Sequence, residues 1–470
     1  MPETKQLTVI GAGPGGYAAA FLAADHGLDV TLIEQEDALG GVCLNKGCIP
    51  SKTLLHFAKL MNEAAEAGDH GVIFEKPRIN LDAIRAHKDT VIKKLRSGVE
   101  SLAKARRVKV LKGRATFESS TRLRIHNNGD TQSIESPLTI IATGSRPAIP
   151  AAFQIGDERV MDSTAALALA DIPPRLLVIG GGYIGLEMGS VYAALGSEVT
   201  VVEFADGILM AADRDLVAPL EKRLRAAFKD IRCKTKVLAL KAEKNGIHVT
   251  LEDPAGKQTT EIFDRVLVST GRRPNSENLG LENTTVKINA KGFIEVDKKM
   301  RTADTHILAI GDIAGEPMLA HKASKEARVA VEAILGQPVE FDSICIPAVV
   351  FTDPELAWAG VTEADVKRDN LDAEVVKFPW AASGRALSIG RTEGITKIIY
   401  ERKTERVIGV GIVGAGAGEL IAEGALAIET AMTAGDLGGT IHAHPTLSET
   451  LMETAELLHG TATHLITKKR

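Results

Sequence analysis

The sequence predicts an α/β protein with two Rossmann-like dinucleotide-binding domains and a C-terminal α+β domain. Three observations carry this. The spacing G-x-G-x-x-G occurs twice, at Gly11-Ala12-Gly13-Pro14-Gly15-Gly16 and at Gly180-Gly181-Gly182-Tyr183-Ile184-Gly185. Each copy lies between a short β-branched apolar run and a small-residue stretch of helical character. In each unit a second strand ends on a glutamate 18 residues past the third glycine, at Glu34 and Glu203.

The first unit opens with the strand Leu7-Thr8-Val9-Ile10. Gly11 permits the tight turn, Gly13 lets the backbone approach a pyrophosphate, and Gly16 lets the following helix pack close to the strand. Pro14 and Gly15 lie where that helix begins, so its N-terminus faces the phosphates. Tyr17, Ala20, Phe21 and Ala24 follow at helical spacing and Gly27 ends the helix. The next strand, residues 29–33, leads to Glu34, placed to accept hydrogen bonds from a ribose. The second unit repeats this grammar. The strand is 176–179, the helix runs through Val191 to Leu195, Gly196 closes it, and the strand 199–202 ends at Glu203. A carboxylate there pairs with a free 2′-hydroxyl and repels a 2′-phosphate. No Arg or Lys occurs between Phe204 and Ala212, so NAD is favoured over NADP.

Two more apolar runs stop at Thr-Gly: 138–141 before Thr143-Gly144, and 266–268 before Thr270-Gly271. The second run follows its fingerprint sooner, so the first domain carries extra material. The run 306–310, ending at Gly311-Asp312, reads as a return to the first domain. From about Phe341 the pattern changes to mixed strands and helices, with a small-residue helical stretch at 418–432 and a turn at His444-Pro445.

Composition bounds the function. At roughly 150 residues per domain, 470 residues suggest about three domains. Aromatics are only 4%, so the core must rest on Ala, Val, Ile and Leu. The net charge of −5 argues against a nucleic-acid or anionic-membrane partner. No apolar run is long enough to span a membrane, and residues 1–6 lead into a strand without a secretory pattern. Four cysteines, at 43, 48, 233 and 345, are too few for a disulfide scaffold and point to a reducing cytoplasm.

The cysteines carry the chemistry. In Gly40-Gly41-Val42-Cys43-Leu44-Asn45-Lys46-Gly47-Cys48-Ile49-Pro50-Ser51-Lys52, Pro50 suits the first turn of a helix whose face is marked by Leu54, Phe57, Ala58, Met61 and Ala65. Cys48 then sits just ahead of a helix N-terminus, where the dipole favours a thiolate. A disulfide from Cys43 would close a very short ring, adding little stability, and makes sense as a redox switch. Zinc would need two further ligands, and the isolated Cys233 and Cys345 do not supply them, so no metal is expected. Those two read as buried small hydrophobes.

Together, GGVCLNKGCIPSK, the two fingerprints, Gly311-Asp312 and the C-terminal His-Pro-Thr-x-x-Glu resemble the flavin-dependent pyridine nucleotide-disulfide oxidoreductases, over essentially the whole chain. Within that family the resemblance is to the branch that oxidises protein-bound dihydrolipoamide to lipoamide and reduces NAD⁺. It includes the stretch Phe378-Pro379-Trp380-Ala381-Ala382-Ser383-Gly384-Arg385. The resemblance implies FAD, bound non-covalently, at the first fingerprint and NAD⁺ at the second. It implies an FAD-binding domain over 1–147, an NAD-binding domain over 148–273, a return to the first over 274–344, and a dimerisation domain over 345–470. It places Glu34 and Gln35 on the FAD ribose side and Gly41, Val42, Cys43 and Lys52 by the isoalloxazine. Ala115, Thr143 and Gly144 also face the flavin, with Asp312 on the ribityl chain and Met318, Leu319 and Ala320 nearby. Lys52 is paired with Glu187. For NAD it implies Gly180, Gly182, Tyr183, Ile184, Gly185, Glu187, Glu203, Val237 and Gly271. Tyr183 either stacks over the flavin until nicotinamide displaces it or simply packs.

Exchange at cysteine needs an acid/base. His444 stands out among twelve histidines because Pro445 fixes its backbone and Glu449 follows five residues on. His442 competes but has no carboxylate at that spacing. The resemblance makes His444 the base and implies a homodimer in which it reaches the other subunit's cysteines. The lipoyl group would come from another protein: a 2-oxo-acid dehydrogenase acyltransferase, a glycine-cleavage carrier or another lipoate-binding protein. Glutathione reductases usually read V-P-K-K where this chain has Ile49-Pro50-Ser51-Lys52, and mercuric reductases carry a C-terminal cysteine pair absent from Thr467-Lys468-Lys469-Arg470. The alternatives are a related reductase with another thiol or disulfide substrate and an electron-carrier subunit of a lipoyl-dependent assembly.

Overall fold

The computed structural model describes residues 5–466; the tail Thr467-Lys468-Lys469-Arg470 lies outside them. Two five-stranded parallel sheets and one five-stranded antiparallel sheet form three layered units. The first sheet runs, in spatial order, Ile307–Ala309, Thr139–Ile141, Gln6–Ile10, Asp29–Glu34 and Lys109–Lys112. The strand from 307 thus returns to the first domain and pairs in parallel with Thr139–Ile141. The extra material is the helices Cys48–Glu66 and Leu81–Ala105 and the meander Arg114–Ser119, Arg122–Asn127, Asp130–Glu135. The second sheet runs Asp230–Arg232, Glu198–Val202, Arg175–Ile179, Arg265–Val268 and Val160–Met161, all parallel. In both sheets the fingerprint strand is central, so its C-terminal end opens where the strand order reverses, where open α/β sheets bind ligands.

Nearly continuous apolar strands fit sheets covered on both faces. Val9, Leu32, Ile140 and Leu308 are buried against Ala19, Ala20 and Ala23 of the helix Pro14–Asp25. That helix is Ala- and Gly-rich for a packing reason: a Cβ on Gly15 would lie 3.1 Å from the Cβ of Ala323, on the helix Ala320–Ile334. The core is aliphatic as the composition requires, with Tyr192 an exception whose hydroxyl donates to the Ala166 carbonyl at 2.9 Å.

A two-stranded antiparallel ribbon, Ser145–Pro147 with Arg272–Pro274, carries the chain between the two nucleotide domains. It begins just after the two Thr-Gly strand ends. The third unit is the antiparallel sheet Ala348–Val350, Glu355–Gly360, Val407–Gly414, Ile395–Glu401, Ala373–Pro379, with helices Ala417–Glu429 and Glu449–His459. The helix expected over 418–432 stops at Glu429, where Thr430 and Ala431 leave the helical path. Asp213, Asp215 and Glu363 lie close enough to hold a cation, and the fully buried Lys397 fills that place, at 2.5, 2.8 and 3.0 Å. The ion cluster pins the helix Arg214–Ala227 to the third unit. No helix among the described residues is long and apolar enough to cross a membrane.

Candidate active site

A cleft of about 930 Å³ opens at the C-terminal edge of the first sheet. Gly11, Gly13, Pro14 and Gly15 line its floor, with Glu34 and Gln35 at one end. Gly11 adopts φ +97°, and a Cβ there would stand 2.4 Å from the carbonyl oxygen of Ala142. Gly16 lies beneath, where a Cβ would meet the Gly11 carbonyl at 1.8 Å. The turn is therefore bare backbone presented to the cleft. Glu34 is buried and accepts from the N–H groups of Ala12 at 2.8 Å and Glu36 at 2.9 Å, which holds its carboxylate at the rim of the turn. Gly41, Val42, Ala115, Thr143, Gly144, Asp312, Met318 and Ala320 line the remaining walls. Leu319 does not; its backbone carbonyl accepts from Ala323 at the start of the helix instead. Volume, phosphate turn, ribose acid and a carboxylate on the opposite wall together fit an extended dinucleotide of FAD's size.

At the far end lie the cysteines. Cys43 belongs to a short helix, Gly41–Lys46, that the sequence did not suggest, and Cys48 is the first residue of the helix Cys48–Glu66 rather than the one before it. The expected apolar face holds at Leu54 and Ala58 and fades at Ala65, which is exposed. Both cysteines are free, and they share a hydrogen bond. That bond from Cys43 lowers the Cys48 thiol, and the ammonium of Lys52 lowers it further, against burial and the charge of Glu187. Cys43 is pushed the other way, by the same hydrogen bond and by burial. Cys48 is thus the thiolate of the pair. Lys52 bonds Glu187 at 2.8 and 3.1 Å, and Glu187 is buried in the helix Tyr183–Leu195 of the second domain. The N–H of Phe351 also donates to Glu187, at 3.0 Å. This ion pair joins the cysteine helix to the second fingerprint helix. Tyr183 lines the cleft between them, its hydroxyl pushed up to about 12 mainly by burial.

The second fingerprint repeats the first. Gly180 has φ +109°, and a Cβ on it would lie 2.5 Å from the carbonyl oxygen of Ser269. Glu203 accepts from Gly181 at 2.6 Å and Ala205 at 2.7 Å. Phe204 and Met210 beside it are exposed, and the side-chain cation of nearby Arg214 is turned inward onto the carbonyls of Ile208, Leu209 and Ala212. Lys234, also at this turn, is paired with Asp206, so among the described residues the acid on the ribose position has no unpaired cation beside it, which fits NAD. Tyr183, Ile184 and Glu187 reach the cleft, whereas Gly180, Gly182, Gly185, Glu203 and Gly271 lie outside its lining. Val237 does not join them; it packs on the core of the second domain.

His444 and Glu449 lie in the third unit, outside the cleft lining. His444 Nδ1 is 2.9 Å from Glu449, and the imidazole is largely exposed. Burial raises Glu449, but the N–H of Thr446 and the histidine more than offset it and leave the carboxyl lowered. The competitor His442 proves to have a carboxylate after all: Glu423, from the helix Ala417–Glu429, lies 2.6 Å from Nε2. Sequence spacing could not show it, because the partner is 19 residues upstream. With its other ring nitrogen on the Thr440 carbonyl, His442 is held at both ends, while His444 Nε2 has no partner among the described residues. Cys345 is buried as expected, but Cys233 is only half-buried, beside the Glu203 turn.

The profile of the pyridine nucleotide-disulphide oxidoreductases matches residues 5–327, and that of their dimerisation domain matches residues 346–455. The chain belongs to the pyridine nucleotide-disulphide oxidoreductases. Within this family it is 48% identical over 461 residues to a dihydrolipoyl dehydrogenase of Haemophilus influenzae, covering 98% of this chain and 96% of that protein. It is 47% identical over 465 residues to one of Staphylococcus aureus, covering 98% of each. Among solved structures, LpdA from Mycobacterium tuberculosis superposes with a TM-score of 0.90 at 29% identity, covering 97% of this chain and all of that one. The HOCl-induced flavoprotein disulfide reductase RclA of Escherichia coli gives 0.86 at 29% identity, covering 96% of this chain and 100% of that one. For this oxidoreductase, three groups escaped the sequence reading. Arg272 donates to the Ser145 hydroxyl at 2.7 Å, Ser145 donates to Asp312, and Arg96 donates to Asn45 at 2.9 Å. Each joins segments far apart in the chain, so no local pattern marks them.

Proposed function

We propose that this chain oxidises protein-bound dihydrolipoamide to lipoamide and reduces NAD⁺, with FAD resident in the first-domain cleft and NAD⁺ exchanging at the second fingerprint. The observation that carries the reading is the cysteine pair at the cleft end, with a thiolate-favouring Cys48 at a helix start and the Lys52–Glu187 pair beside it. The dihydrolipoyl dehydrogenases with which it shares nearly half its residues support the same substrate.

The thiol half-reaction follows from these groups. With Cys43 and Cys48 joined, His444 Nε2 takes the proton of one substrate thiol while Glu449 holds the ring and stabilises the imidazolium. The substrate thiolate attacks Cys43, and Cys48 leaves as thiolate. Cys43 takes that proton from His444 as it leaves, and the imidazole takes the proton of the second substrate thiol, whose sulfur displaces Cys43. Lipoamide departs, leaving Cys43 a thiol, Cys48 a thiolate and His444 protonated. Cys48 is the sulfur whose charge Lys52 stabilises. FAD, when bound, carries the electron pair from this thiolate to NAD⁺ as hydride. His444 lies outside the cleft of its own chain, so the base comes from the second subunit of a homodimer, across the family's dimerisation domain. A cytoplasmic setting suits the reduced thiols. Gly11, Gly13, Pro14, Gly15, Gly16, Glu34 and Asp312 would hold FAD, and Gly180, Gly182, Gly185 and Glu203 would hold NAD⁺.

The test is an anaerobic titration of the yellow holoenzyme with dihydrolipoamide. A long-wavelength thiolate-to-flavin band should appear, followed by NADH when NAD⁺ is added. Cys43→Ser and Cys48→Ser should each lose lipoamide turnover by about a thousandfold or more. Retained turnover in either variant sinks the exchange chemistry. His444→Gln should slow the thiol half-reaction and spare NADH oxidation by an artificial acceptor.

A further inference from the structure

The Lys52–Glu187 pair has a third partner, and it comes from the third unit. Phe351 directly follows the strand Ala348–Val350 of the antiparallel sheet. Its N–H donates to Glu187 Oε1 at 3.0 Å, and its ring centroid lies 4.5 Å from the Lys52 Nζ. One residue thus grips both members of the pair, the anion by its backbone and the cation by its side chain. The chain around it is tied down. Val350 and Thr352 are buried, and Asp353 pairs with Arg223 of the helix Arg214–Ala227 at 2.8 Å and with Arg391. The half-buried Phe351 packs on the core cluster that holds Leu54 and Leu55 of the cysteine helix and Met188 beside Glu187.

We propose that Phe351 is a positioning residue of the thiol half-reaction: its ring holds the Lys52 ammonium where it serves the Cys48 sulfur, while its N–H keeps Glu187 in place. The inference rests on the dihydrolipoamide reading, in which Cys48 carries the charge, and it gives the third unit a part in the chemistry of its own chain. Lys52 lies four residues after Cys48 on one helix, hence on the same face. Its side chain is 31% exposed and rides on a flexible four-carbon stem. A charge so carried acts on a neighbouring sulfur only if the stem is held and water, which screens the charge, is kept off. Among the described residues, Glu187 is the hydrogen-bond partner of the ammonium, and it opposes a thiolate. An aromatic face attracts a cation without adding a negative charge. It therefore steadies Lys52 at no cost to the sulfur, which a second carboxylate could not do.

The pH midpoint of the long-wavelength band in the two-electron-reduced dimeric holoenzyme tests this. Phe351→Leu keeps the N–H and much of the bulk but loses the ring. Its midpoint should rise by about half a unit, about a threefold change in the acid constant. Phe351→Tyr keeps the ring face and should return the midpoint to the parent value. In a Lys52→Met background, adding Phe351→Leu should move the midpoint no further, because the ring acts through the ammonium. An unshifted midpoint in Phe351→Leu, an equal rise in Phe351→Tyr, or a further shift in the Lys52→Met background overturns the positioning role. If Phe351→Leu fails to fold, Phe351→Met, unbranched and adaptable, takes its place with the same expected outcomes. A parent enzyme that forms no band with dihydrolipoamide overturns the reaction itself, so the two failures are told apart.

Discussion

The two fingerprints of this chain are built alike and enclosed differently. Gly11 and Gly180 share a left-handed turn, Gly16 and Gly185 share a helix packed onto it, and Glu34 and Glu203 each grip two backbone N–H groups. Above the turn they part. A Cβ on Gly13 would lie 3.9 Å from the Gly41 Cα, and one on Gly41 would stand 2.5 Å from the Gly13 Cα. Gly40 donates to the Ala12 carbonyl at 2.8 Å, and Asn45 of the redox loop holds the Leu39 and Gly41 carbonyls. The first turn therefore lies under a roof made from the reactive loop. At the second turn no atom of the described residues is found within 4 Å of a Cβ on Gly182. On the proposed assignment, one backbone motif serves a resident group when roofed and an exchanging one when open, and the roof makes the thiols part of the flavin site.

The sharpest way to break this comparison is to damage both turns equally. In Gly16→Ala the new methyl would sit 1.8 Å from the Gly11 oxygen, and in Gly185→Ala 2.3 Å from the Gly180 oxygen. Neither neighbour is a movable side chain. Gly16→Ala should yield protein with little bound flavin, measured by visible absorbance per chain, and no activity of any kind. Gly185→Ala should stay yellow and accept electrons from dihydrolipoamide, while NADH formation falls by about a hundredfold or more. Flavin loss in Gly185→Ala, or full flavin in Gly16→Ala, reverses the assignment of the two sites.

A smaller change sharpens the same contrast. Hydrogen bonds to a charged group contribute about 1.5–3 kcal/mol, so removing the carboxylate's charge should cost about tenfold or somewhat more in affinity. Glu203→Gln should raise KM for NAD⁺ by about that factor and leave the flavin in place. Glu34→Gln should leave KM for NAD⁺ unchanged and speed flavin loss during dialysis.

Most of this architecture was legible in sequence because it is local. A fingerprint, its strand and its acid lie within one β-α-β unit, and periodicity with glycine spacing marks all of them. The return of 307–309 to the first sheet was legible too, because its buried-type run matches 139–141. What stayed hidden is what pairs across the chain. Glu423 reaches His442 from another helix, Arg272 reaches Ser145 across the domain ribbon, and Lys397 fills a three-carboxylate cluster that composition alone would leave open. Lys52–Glu187 is the instructive intermediate case. Both residues sit on motif helices, but only family resemblance joined them, since 135 residues separate them. The short helix Gly41–Lys46 was missed for another reason: Gly41 and the N-cap Gly40 are poor helix formers, and the close packing of Gly41 on the fingerprint turn overrides their propensity.

That ion pair supplies the finest test of how the two domains meet, because its members push the reactive sulfur in opposite directions. Cys48 is held down to about 7 by its bond with Cys43 and then by Lys52, while Glu187 raises it. The thiolate is therefore present above that value and lost as pH falls through it. In the two-electron-reduced enzyme, the long-wavelength band should fade on acidification with a midpoint near neutrality. Lys52→Met removes the lowering cation, so the midpoint should move up and the band at neutral pH should weaken. Glu187→Gln removes the opposing anion, so the midpoint should move down, although the mutation lies in the other domain. A shift of about one unit corresponds to 1.36 kcal/mol, a small effect beside flavin loss but one with a sign. If both variants move the band the same way, the pair acts by general loosening of the domain junction. If they move it oppositely, the NAD-binding domain sets the charge of a sulfur in the FAD-binding domain through one buried carboxylate.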